Sequence, residues 1–93
     1  MENMAVIKGT KLLKALANGK RLELVFLLQH KECRVGDLEA KVGLSQSALS
    51  QHLAILRTAG IVTTRRQAQS IFYSIKDKNA VKLLQLLNRM YNR

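Results

Sequence analysis

Residues 35–58 read VGDLEAKVGLSQSALSQHLAILRT, and the fold turns on how this stretch is read. Val35, Leu38 and Val42 recur at helical spacing and predict a short helix over 35–42. Gly43-Leu44-Ser45 reads as a tight turn, with Ser45 placed as the N-cap of a second helix over 46–58. Leu49, Leu53 and Leu56 give that helix one apolar face, while Ser47, Ser50, Gln51, Ala54 and Arg57 stand opposite. A short helix, a three-residue turn and a polar-faced second helix suit insertion into the major groove of DNA. Gln46, Ser47, Ser50 and Gln51 lie near the second helix's N-terminus, where free amides and the positive dipole end favour phosphate. Glutamine makes a bidentate contact to adenine, and serine serves base or phosphate. The plainer reading is a helical hairpin in an ordinary small core, its polar residues merely facing water.

Working outward, residues 61–75 (IVTTRRQAQSIFYSI) switch to β-branched and aromatic composition around a polar centre and predict a β-hairpin. Its turn signal is weak, because no Gly, Asn or Asp sits at the tip. Ala68 stands there instead, and a positive φ would strain it by on the order of 1 kcal/mol. Arg65 and Arg66, with Gln67, Gln69 and Ser70, make a wing that lays cations along a nucleic-acid backbone or into its minor groove. Exposed charges on a hairpin also discourage edge-to-edge pairing, which is the competing explanation.

Upstream, residues 5–17 predict a helix that stops at Asn18-Gly19, two residues that tolerate the left-handed conformation. Lys20 to about His30 predicts a second helix, apolar almost all round and therefore the buried centre. Downstream, Asp77 caps a last helix reaching Asn92, whose apolar stripe is wider than one-sided packing needs. The surplus, Leu84, Leu87 and Tyr91, is expected to bury against a second copy together with Ile7 of the first helix. The order is α-α-α-α-β-β-α: a mainly α chain with a β-hairpin wing, forming one domain over 1–93.

Ninety-three residues leave no room for a second core. Formal net charge is +10, unevenly spread: residues 1–39 hold seven Lys/Arg against five acids, residues 40–93 nine against one. A polyanionic partner is expected to meet the C-terminal half, and nucleic acid fits better than a membrane surface. The last helix is basic but has no Trp or Phe to seat it in a bilayer interface. No apolar run approaches the roughly 18 residues of a spanning helix, and the first residues lack a signal-peptide core, so a cytoplasmic protein is expected. The lone Cys33 excludes a disulfide within the chain. Two histidines and six scattered acids make a metal centre or a catalytic cluster hard to assemble, so neither enzyme activity nor a cofactor is expected. His52, beside the apolar face of its helix, reads as a packed, hydrogen-bonded side chain before a ligand.

Three stretches, LLKALANGKRLELVFLL (12–28), VGDLEAKVGLSQSALSQHLAILRTAGIV (35–62) and RRQAQSIFYSI (65–75), together resemble the ArsR/SmtB winged helix-turn-helix regulators, nearest the HlyU/BigR-type subgroup. The resemblance covers about Lys11 to Ile75. It implies a homodimer on an imperfect palindrome in a promoter, repressing or displacing a repressor until a signal arrives. By position, Gln46, Ser47, Ser50 and Gln51 match the family's DNA-reading helix, and Arg65 to Ser70 its wing. The family's sensing sites do not carry over. Arg34, Val35 and Gly36 stand where metal sensors have a Cys-x-Cys, and after Asp77 the last helix contains neither histidine nor acid. Phe26 and Asn92 occupy the positions of the subgroup's redox cysteine pair. The inducer is therefore left open. Cys33 is either an inert small hydrophobe or a thiol or metal sensor, its neighbours Lys31 and Arg34 favouring the thiolate. A protein-interaction module using the same surface is the remaining alternative.

Overall fold

The computed structural model describes residues 2–92. Five helices and three strands follow in the order α1 (Met4–Leu16), α2 (Gly19–His30), β1 (Cys33–Arg34), α3 (Val35–Val42), α4 (Gln46–Thr58), β2 (Val62–Gln67), β3 (Ser70–Ile75) and α5 (Lys78–Tyr91). Local chemistry sets most of these limits. Asn3 and Asn18 accept backbone N–H bonds at the starts of α1 and α2, and Asp77 does the same for α5. Asn18 thus ends one helix and caps the next.

The expected order lacked one element, the two-residue β1. It pairs antiparallel with β3, Cys33 opposite Tyr73 and Arg34 opposite Phe72. Two residues are too few to show alternation, so only the partner strand defines this one. The sheet order is β1-β3-β2, with β2 and β3 joined by the two-residue loop Ala68-Gln69. Ala68 adopts φ 56° there, the left-handed conformation that glycine would take without strain.

The core forms where α2 meets α1, α3, α4 and β3. Leu24 and Val25 of α2 are fully buried in one cluster with Leu38, Leu49, Leu56, Ile61, Ala80 and Leu84. Ile61 also fastens the frame through its backbone. Its N–H donates to the Leu56 carbonyl at the end of α4, and its own carbonyl accepts from Lys76 and Asp77 before α5. Among the described residues, no helix is long and apolar enough to cross a membrane.

Leu84 corrects an expectation. Its place in the apolar stripe of α5 predicts a partner-facing side chain, yet it is 0% exposed within its own protomer and has no surface left for a partner. The face that is left open runs along Leu83, Leu86, Leu87 and Met90, spaced as one helical stripe, with exposed Tyr91 beside it. On α1 the exposed apolar residues are Met4, Val6, Ile7 and Leu13.

Candidate nucleic-acid interface

The turn between α3 and α4 is held at three points. Gly43 caps α3 at φ 67°, and its N–H donates to the Glu39 carbonyl at 3.2 Å. Ser45 Oγ accepts the Ala48 N–H at 3.2 Å, starting α4. Lys20 Nζ donates to the Val42 carbonyl at 2.8 Å, tying the end of α3 to α2. Leu49, Leu53 and Leu56 press α4 into the core, so the opposite side of the helix is turned out by geometry. Gln46, Ser47, Ser50, Gln51 and Arg57 are all exposed on α4, and Lys41 is exposed on α3. None of the four α4 amide and hydroxyl side chains is hydrogen-bonded within the protein among the described residues, so their donors and acceptors are available to a partner.

The wing is brought against this helix. Gln46 and Ser50 of α4, Arg34, Val35 and Gly36 at the start of α3, and Gln69, Ser70 and Ile71 at the wing tip line one concave space of about 340 Å³. Strand register places Arg66 opposite Ile71, one of the residues that line this cleft. Arg66 and Gln67 are exposed.

Arg65 is differently placed. It stands opposite Phe72, its guanidinium 4.5 Å from the ring centroid. Its Nε and Nη2 donate to the two carboxylate oxygens of Glu32 at 2.7 and 2.6 Å, and its Nη1 donates to Gln67 Oε1 at 2.8 Å. Hydrogen bonding from Arg65 holds the Glu32 carboxyl below its ordinary value, and the same contact raises the guanidinium's.

His52 is packed and hydrogen-bonded, as its position beside the leucines suggested. Arg21 Nη1 lies 3.2 Å from His52 Nδ1, and Arg21 Nε donates to the Ala15 carbonyl at 2.6 Å. Because a guanidinium only donates, Nδ1 accepts and the imidazole carries its proton on Nε2. One arginine of α2 therefore bonds both the end of α1 and the recognition-side helix α4.

Cys33 is buried under the sheet at 3% exposure, its thiol directed at the Lys31 carbonyl 3.4 Å away. Phe26 packs against the core, and Asn92 sits at the C-cap of α5. Among the described residues, no three His, Cys, Asp or Glu side chains converge as a metal site.

Glu32, Arg21 and Ile71 contribute to this surface without having been singled out from the sequence. Alternation across the sheet would have pointed to Glu32 once β1 was known, since it precedes Arg34 by two residues. Arg21 carried no local signal.

Residues 18–64 match the family described as bacterial regulatory protein, arsR family. The chain is 46% identical over 84 residues to the transcriptional activator HlyU of Vibrio cholerae, covering 90% of this chain and 78% of that one. The solved structure of HlyU from that organism superposes over the full length of both chains with a TM-score of 0.92 at 44% identity. A biofilm growth-associated repressor of Agrobacterium fabrum is 46% identical over 80 residues, 86% of this chain and 68% of its own. The homodimeric winged helix-turn-helix DNA-binding domain Mb0332 of Mycobacterium bovis matches at a TM-score of 0.84 and 28% identity, over 94% of this chain and 81% of that one. With a turn-linked helix pair, a wing and these relatives in agreement, the chain belongs to the arsR family of bacterial transcription regulators, and its fold is the winged helix-turn-helix.

Proposed function

We propose that this regulator reads DNA as a homodimer in the cytoplasm, with one α4 in each of two successive major grooves of a palindromic promoter site. The observation that carries the reading is the shared cleft between the N-terminal half of α4 and the wing tip. Gln46, Ser47, Ser50 and Gln51 supply base-edge or phosphate contacts, and Arg57, Arg66 and Lys41 supply backbone cations. Gln67, Gln69 and Ser70 add neutral donors along the wing. The dimer face is the open stripe of α5, Leu83, Leu86, Leu87 and Met90 with Tyr91, joined by Val6, Ile7 and Leu13 of α1. A two-fold axis through it sets half-sites about one helical turn, roughly 34 Å, apart.

Burial of Cys33 favours a signal that does not act through this thiol. Selection from random duplexes tests the function directly. The expected product is a palindrome whose half-sites lie one turn apart; survivors with no shared sequence would overturn the reading.

A further inference from the structure

Among the described residues, a single acidic side chain engages the wing, and it does so from outside it. Arg34, Phe72 and Arg65 form a cross-strand row from β1 through β3 to β2, on the sheet face away from the core. The adjacent row, Cys33, Tyr73 and Thr64, lies on the opposite face, with Cys33 buried and Tyr73 packed against the core. β1 and β2 are the two edges of the sheet and do not pair with each other. Arg65 nevertheless joins them. Its guanidinium lies over the Phe72 ring on the central strand and closes a two-pronged contact with Glu32, next to β1, at 2.7 and 2.6 Å. Gln67 Oε1 takes a third N–H at 2.8 Å, so three of the five guanidinium N–H groups are committed.

Arg66 has none of these partners and shares its face with Ile71, which lines the cleft against Gln46 and Ser50. Neighbouring arginines thus point to opposite sides of the wing. We propose that Glu32 and Arg65 are positioning residues for DNA binding, forming a strap across the sheet that fixes the wing's angle to α4, while Arg66 alone is the phosphate ligand of the pair. This rests on the DNA-binding reading, but the strap has a signature without DNA. A fixed wing matters because a loosely held contact residue loses its share of affinity to ordering costs at each encounter.

The test uses the full chain and a duplex selected as above, with four variants: Glu32→Gln, Arg65→Gln, Arg66→Gln and the exchange E32R/R65E. Glu32→Gln and Arg65→Gln should each weaken the selected duplex by roughly threefold to fivefold, leaving the melting temperature and the salt slope unchanged. Arg66→Gln should instead make the slope shallower by about 0.9 per protomer. The exchange variant restores the contact with its charges reversed, and should recover most of the lost affinity despite a carboxylate on the wing. In the free protein, amide relaxation at Gln67 to Ser70 should show greater mobility in Glu32→Gln and recovery in the exchange variant. Three results overturn the strap: tighter binding by Glu32→Gln, which would make Glu32 a competitor of phosphate; a slope loss in Arg65→Gln equal to that in Arg66→Gln; or unchanged wing mobility in Glu32→Gln. Failure of the DNA reading itself would look different, with no duplex selected and the mobility changes intact.

Discussion

The number of phosphates neutralised can be counted from the surface and then measured. Lys41, Arg57 and Arg66 are exposed on the α3, α4 and wing segments of each protomer, and no carboxylate lies within ion-pair distance of them among the described residues. A dimer therefore offers about six cations, and the logarithm of affinity should fall against the logarithm of salt with a slope near −5. Raising salt from roughly 50 to 200 mM then weakens binding about 2,000-fold. Counting Arg65 as well would give about eight cations, a slope near −7 and a loss of about 20,000-fold, a tenfold difference that titration can resolve. The assay is fluorescence anisotropy of a labelled selected duplex, titrated with protein at several salt concentrations. Arg57→Gln should take about 1.8 from the slope of the dimer, one counterion per protomer. A wild-type slope shallower than about −2 would refute the assignment of these cations to the DNA backbone.

Replacing both Ser50 and Gln51 by alanine should cost about tenfold or more on the selected site and little on random duplex, read as the ratio of the two affinities. Leu87→Glu places a carboxylate in the open stripe of α5, and should give monomers by sedimentation that retain helical content and lose the palindrome. Lowering pH should leave the Glu32–Arg65 contact intact until it falls below the ordinary carboxylate value. A depressed folded-state pKa contributes above the unfolded value and is lost as pH falls through the folded one. Carboxyl NMR titration of Glu32 should show that low midpoint, and Arg65→Gln should move it upward. Ala68→Gly removes a left-handed alanine costing about 1 to 2 kcal/mol but adds freedom to the unfolded chain worth roughly half of that, for a net gain below about 1 kcal/mol in urea melts.

What could be read beforehand was whatever a segment states about itself. The helix over 46–58 carries a hydroxyl cap, a leucine face and a polar face within its own residues, so its limits and exposed side chains needed no tertiary information. The two-residue loop of the hairpin was harder, because its alanine adopts a backbone conformation that its residue type disfavours. β1 was illegible for a different reason. A two-residue strand has no period, and its pairing with Phe72 and Tyr73 spans almost forty positions of chain. Leu84 and Leu87 differ by less than a turn on one apolar helix. Only the packing of α5 decides that the first is enclosed and the second half-open.

The same limit separates the two wing arginines. As adjacent residues of one composition they are indistinguishable in sequence, and both read as cations for DNA. Strand alternation sends them to opposite faces: Arg65 meets an aromatic ring and a carboxylate, whereas Arg66 stands opposite Ile71, one of the residues that line the cleft with Gln46 and Ser50. Formal charge therefore overstates the electrostatic contribution of the wing, because one of its two cations is already opposed by Glu32. The same holds for Arg34, whose Nε lies 3.6 Å from Asp37 Oδ2. Of the four arginines at 34, 57, 65 and 66, Arg57 and Arg66 have no carboxylate within ion-pair distance among the described residues, whereas Arg34, at the cleft itself, and Arg65 are each opposed by one. On the binding mode proposed above, that distribution, more than the net charge of the chain, is expected to orient DNA on this protein.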